Sequence, residues 1–282
     1  LFPNRLKAKI LFMKIKFTFI FLLSIGSFFT AFAQDDADNV TNETYQPDIS
    51  GKLLLSVGLN LLDDAPRDFE INPWRSKSVG IYYLYTIPLG DSKFSFNAGL
   101  GLGLEKYQFS NNTILTYKDA DEIPGFESEI PILVMDSVQD VYNTPTWEKN
   151  RLAANYVDIP LEFAFNSNKS NPAAGLSVAL GGKIGVLYAA HTKVKYELPG
   201  GETRKVKDER QWGLNRFRYT TYTRIGYGAF SVFLEYQLSD LFDTEFGGPL
   251  HRTGVDNAAG KAIYKEFPDL TNYRVGLAVD LF

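Results

Sequence analysis

The chain has two histidines, His191 and His251, and no cysteine among its 282 residues. An imidazole can act as a general base, but the reaction also needs a nucleophile and an orienting acid within reach, and no Ser/His/Asp spacing accompanies either histidine. His191 falls on the polar side of its segment near one end, so it is the one place to look for catalysis; a solvated histidine is the simpler reading. A metal site would need a second His or Cys at ligand spacing, and the lack of cysteine removes disulfides and thiolate chemistry. GLGLG at 99–103 has no strand–turn–helix context and is no phosphate loop. These residues predict no cofactor and no enzyme. What remains is charge at regular spacing. Lys52, Lys183, Arg218, Arg224 and Arg274 are matched by Glu105, Asp158, Glu162, Glu235 and Asp280, five against five, each on the polar side of an alternating segment.

Those segments have a period of two. In KFSFNAGLGLGLEKYQF (93–109), Phe94, Phe96, Ala98, Leu100, Leu102 and Leu104 alternate with Ser95, Asn97, Gly99, Gly101, Gly103 and Glu105. Successive side chains of a strand point to opposite faces, so one face is oily and the other narrow and polar. The same pattern returns in GKLLLSVGLNLL, VGIYYLYTIPL, NYVDIPLEFAF, GLSVALGGKIGVLYAAH, FRYTTYTRIGYG, FSVFLEYQL and YRVGLAVDLF, which makes eight strands. Their connections alternate between short (90–92, 166–174, 228–229) and long (62–77, 110–153, 192–215, 239–271). Within 192–215, KVKYELPGGETRKVK reads as a hairpin about Pro199-Gly200-Gly201. Pro160 sits mid-strand and demands a bulge or other irregularity.

The balance of charge decides which face looks inward. On a soluble sandwich the polar face would need no such balance, and alternate glycines would make a poor solvent face. Inside a closed eight-stranded barrel there is room only for side chains, and buried charges must pair to offset desolvation. Turn-by-turn folding sets Asp158 opposite Lys183, Arg224 diagonal to Glu235, and Lys52 beside Asp280. The aliphatic faces, with Tyr and Phe towards the strand ends, then meet lipid. The expected fold is all-β: an up-and-down transmembrane barrel over 51–282 with short periplasmic turns and long extracellular loops. A soluble secreted β-protein is the alternative that this parity argues against.

The segment before the barrel fits that address. From Met13, read as the true start, Lys14 and Lys16 precede the apolar run Phe17–Phe32 and an Ala31-Phe32-Ala33 cleavage site. Residues 1–33 thus read as a signal peptide, and 34–50 as a flexible acidic lead-in. Cleavage would remove five basic residues and no acidic one, taking the net charge from −4 to −9 and arguing against nucleic-acid binding. The 110–153 insert is itself acidic, and its pieces ILTY and PILVM suggest that part of it folds over the barrel mouth. Asp136-Ser137-Val138 has the form of an Asp-Ser/Thr-aliphatic O-glycosylation site.

AFAQ at the cleavage site, YVDIPLEFAF, GYGAFSVFLEYQLSDLF and the closing YRVGLAVDLF together resemble the PorT-like outer-membrane β-barrel family of Bacteroidota. The resemblance implies an eight-stranded outer-membrane barrel in contact with lipid. It also implies insertion by the barrel-assembly machinery, which reads a C-terminal strand ending in an aromatic, here Phe282. Its namesake is associated with type IX secretion, so an envelope or secretion-complex protein is the implied partner. The expected role is structural or interactive, through the loops. A narrow solute pore or secretion accessory is the alternative, followed by a barrel enzyme acting on lipid or peptide.

Overall fold

A computed structural model describes residues 51–281 apart from 124–127, 145, 169–174, 244–247 and 256–261. The predicted signal peptide, the lead-in to residue 50 and the insertion signal Phe282 lie outside the described residues. Eight strands form the barrel: β1 (Gly51–Asp63), β2 (Lys77–Pro88), β3 (Phe94–Gln108), β6 (Thr146–Asn166), β7 (Leu176–Glu197), β9 (Phe217–Tyr227), β10 (Phe230–Gln237) and β13 (Thr271–Leu281). Each pairs antiparallel with its neighbours in that order, β1 joins β13, and the β6–β7 pairing completes the ring. Closure matters because an open strand edge in hydrocarbon would leave its amides and carbonyls unsatisfied.

The short turns have local causes. Gly90 and Gly228 both take positive φ. Gly228 opens the two-residue loop between the paired Tyr227 and Phe230, where a tight hairpin wants glycine at the first position.

The alternation resolves as a barrel with its oily side out. Leu100, Phe163, Val232 and Leu277 are each more than half exposed, as members of a continuous aliphatic and aromatic band that runs through every barrel strand. On the opposite face of the same strands Glu105, Asp158, Glu162, Lys183, Arg218, Arg224, Glu235 and Arg274 are buried.

Three features differ from the pattern read in the sequence. First, two of the long connections, 110–153 and 239–271, carry a sheet of their own. β4 (Thr113–Lys118), β5 (Ile132–Ser137), β11 (Leu250–Val255) and β12 (Ala262–Glu266) form a second, four-stranded sheet, whereas β8 (Thr203–Asp208) pairs with the extended end of β7 as the hairpin expected about Pro199-Gly200-Gly201. A short helix, α1 (Val138–Tyr142), follows β5, with Ser137 as its N-cap. Second, of the two outcomes expected at Pro160 the strand has the irregularity and not the bulge: the β3–β6 ladder skips the positions between Ala98↔Leu161 and Gly101↔Asp158 and resumes in the same register. Third, a bulge does occur, at Tyr188, where Asn155↔Ala189 gives way to Tyr156↔Leu187. Because one extra residue reverses facing, the inward set of β7 changes from Lys183, Gly185 and Leu187 to Ala190, Thr192, Val194 and Tyr196. His191 therefore lies on the outer face, a correction to its expected inward position.

Above the bore the long connections share a hydrophobic core. Phe69, Phe109, Phe242 and Phe267 meet edge-on at centroid distances of 5.1–5.2 Å. Tyr107, Leu152, Tyr156 and Leu187 from the barrel wall and Leu115, Met135, Trp212, Leu241 and Leu270 from the connections pack into the same cluster. With the chain reconstituted in bilayers, spin labels at Leu100 or Leu277 are expected to collide freely with dissolved oxygen and to be shielded from a water-soluble nickel chelate. A label at Ser128, an exposed position between β4 and β5, should show the reverse, and the opposite ranking would turn the barrel inside out.

Candidate functional site

The inward residues of the barrel form two charge-balanced groups. In the larger, three carboxylates (Glu105, Asp158, Glu235) face three cations (Lys183, Arg218, Arg274) in one unbroken chain. Arg218 donates from Nε and Nη2 to the two Asp158 oxygens at 3.0 and 2.5 Å, a two-point fork, and from Nη1 to Glu105. Arg274 continues the chain, pairing with Glu105 and, through Nε at 2.8 Å, with Glu235. Lys183 closes it on Glu235. Tyr82 ties the ends together: its hydroxyl donates to Asp158 at 3.0 Å and accepts from Lys183 at 3.4 Å. The Arg218 guanidinium also lies 3.9 Å from the Tyr156 ring centroid, a cation–π contact.

The second group lies nearer the short-turn end. Arg224 reaches Glu162 at 2.8 Å and Asp280 at 2.9 Å, and Lys52 reaches the same two carboxylates at 3.5 and 3.4 Å. Asn97 and Tyr222 donate to the Glu162 oxygens at 2.7 and 3.0 Å. Here Lys52 and Asp280 are partly exposed, whereas Glu162 is fully enclosed. All ten charges singled out in the sequence thus face the bore and have ion-pair partners.

Two of the sequence-based pairings are replaced by others. Lys183 faces Pro160 rather than Asp158, whose cross-strand neighbour on β7 is Gly185; Asp158 pairs instead with Arg218 from the next strand. Arg224 is diagonal to Glu235 by register but bonds Glu162 and Asp280. Glycine explains how such bulky pairs fit. A β-carbon at Gly103 or Gly185 would press into the Arg218–Asp158 pair, so these two positions must stay bare. Two voids in the bore have volumes of about 10 and 20 Å³, enough for about one water molecule each.

The histidines are dispersed. His191 makes no hydrogen bond or ion pair among the described residues, and the charges that act on it come from Lys207, Arg151, Glu209 and Lys193. His251 sits 3.8 Å from Asp68 and edge-on to Phe267 in the cap. Burial pushes the Asp68 carboxyl above its usual range, opposed by the Arg252 backbone N–H and by His251. Within the acidic insert Asp136, buried, pairs with Lys118 at 2.5 Å, while Asp140 and Glu148 reach Arg252 and Lys195 outside it. Ser137 uses its hydroxyl to accept from the Gln139 amide at the start of α1, a capping role.

Residues 32–243 match the family model described as outer membrane protein beta-barrel domain. Among solved structures, the chain is similar to the crystal structure of Neisserial surface protein A, with 9% identity, a TM-score of 0.32, and coverage of 83% of this chain and 97% of that one. No curated protein matches the sequence.

Removing one partner of a buried ion pair strands the others and costs about 3–5 kcal/mol. Arg218→Met is therefore expected to lower barrel stability by about that much, measured by urea unfolding with heat-modified gel mobility as the readout. Adding Asp158→Asn should recover part of the loss. A stability unchanged by Arg218→Met would mean that the chain of pairs contributes nothing to holding the bore.

Proposed function

Because the chain belongs to the outer membrane protein beta-barrel family, we propose that it is a sealed outer-membrane barrel that neither conducts solutes nor catalyses a reaction, and that it works through the folded cap at its long-loop end. The observation that carries this reading is the double closure of the bore. Ion pairs fill the barrel, and the aromatic cluster around Phe69, Phe109, Phe242 and Phe267 covers its mouth. A conducting pore needs a wet path, and two voids in the bore, of about 10 and 20 Å³, each hold about one water molecule. An enzyme at the rim would need a nucleophile and base in contact, and His191 makes no hydrogen bond or ion pair among the described residues.

The long-loop end faces the medium in this reading, with the short turns in the periplasm and residues 1–33 serving as the export signal. Insertion by the barrel-assembly machinery would proceed through β13 and the aromatic Phe282. Outer-membrane lipid surrounds the band. The motifs shared with PorT-like barrels of Bacteroidota support an envelope or secretion-complex protein as the partner that the cap meets.

In planar bilayers the full chain should give no steady conductance steps, and reproducible openings would overturn the sealed bore. The lack of cysteine makes orientation easy to read. On intact cells Ser128→Cys is expected to react with a membrane-impermeant maleimide while Lys93→Cys, in the β2–β3 turn, stays protected; the converse would place the cap in the periplasm.

A further inference from the structure

The outer face of the barrel changes character just above its oily band. On β2, Val79 is the last apolar residue and Lys77 the next outward position; on β3, Leu104 is followed by Lys106. Beyond them, on β6, β7 and β8, cations stand directly across from cations. Arg151 is paired in register with Lys193, and Lys193 with Lys207. One step higher, Lys149 is opposite Lys195, and Lys195 opposite Lys205. The Tyr188 bulge is what turns the β7 lysines outward. Arg151, Lys149 and Lys77 all act on Lys106 by repulsion.

Like charges placed directly opposite on a sheet are destabilising, so these rows call for compensation. The protein supplies little of it. Glu148 pairs with Lys195 and Glu209 with Lys207; Lys77, Lys106, Lys149, Arg151, Lys193 and Lys205 have no carboxylate partner among the described residues. The Nε of Arg151 is buried without a hydrogen-bond partner. From Lys106, opposite Ala153, to Lys149 the cations climb four residues along β6, about 13 Å at the rise of a strand. That is taller than one layer of phosphates and suits a head built of several phosphorylated sugars.

We propose that the outer face of β2, β3, β6, β7 and β8 above the oily band is a binding site for the phosphate-bearing headgroup of an outer-leaflet glycolipid. The band holds the acyl chains and the rows of Lys and Arg meet the phosphates, so the lipid supplies the negative charge that the strands lack. The assignment rests on the reading that the long-loop end faces the medium.

Native mass spectrometry of the refolded full chain in detergent, with divalent cations chelated, tests it. Bisphosphorylated lipid A should be retained at least tenfold better than its dephosphorylated form and than phosphatidylglycerol. The triple variant Lys106→Gln, Arg151→Gln, Lys193→Gln should lose about fivefold in affinity per cation removed, and Lys265→Gln, on β12, should lose nothing. Equal retention of the three lipids, or a folded triple variant that binds like the parent, overturns the proposal. Should the triple variant fail to fold, the comparison of lipids on the parent chain still decides. Failure here with Ser128→Cys labelled on intact cells sinks the lipid site alone, whereas failure of that labelling sinks the orientation beneath it.

Discussion

A bore too narrow for bulk water cannot leave a charge unpaired, and the rest of this barrel follows from that constraint. The idealised cost of taking one ion from water into a low-dielectric interior is of order 20 kcal/mol. Each inward cation must therefore find carboxylates at bonding distance, and both groups are neutral in sum. Arg218 shows how completely the fold serves this. It draws Glu105 and Asp158 from two other strands, rests on Tyr156, and needs bare positions at Gly103 and Gly185 for its partners to fit.

The molecule has two solvents and two opposite solutions to them. In the band, water-hating residues face out and polar ones face in; in the cap, Phe69 and its neighbours face in. Tyr188 lies where one rule gives way to the other. A single extra residue there lets β7 present Lys183 to the bore below and Val194 and Tyr196 to the cap interior above, although their numbers have opposite parity. The same slip that buries those apolar residues delivers His191, Lys193 and Lys195 to the outer surface.

The barrel itself was legible because period two survives in every spanning strand, and inward charge could be told from outward grease by the five-against-five count. Partners were less legible, because the register of a hairpin is fixed by its turn and not by the midpoint of the connection. Folding symmetrically about the 166–174 turn put Lys183 opposite Asp158; the actual register puts Gly185 there, two places on, which moves the lysine to Glu235 across the bore. The bulge at Tyr188 has no signature in LYAAH, so the facing of His191 was misread for a local reason. The cap was legible only in part, since ILTY and PILVM marked a piece of 110–153 as folding over the mouth but not the sheet it joins. Its sheet takes β4 and β5 from one connection and β11 and β12 from another, and strands of five or six residues carry too few alternations to reveal a face.

Why the bore is ionic rather than apolar has a physical answer in the membrane. Burying an aliphatic side chain in the lumen offers no gain over leaving it in lipid, since the two surroundings are equally oily. An apolar interior would give the strands no reason to prefer one face inward, and a slip of one residue would cost little. Charged and hydroxylated residues remove that degeneracy: a slip that turned Arg218, Asp158 and Glu105 towards hydrocarbon would strip every one of its partners. The ion pairs thus fix register in lipid as the hydrophobic effect does in water, and the cap, standing in water, returns to the hydrophobic core.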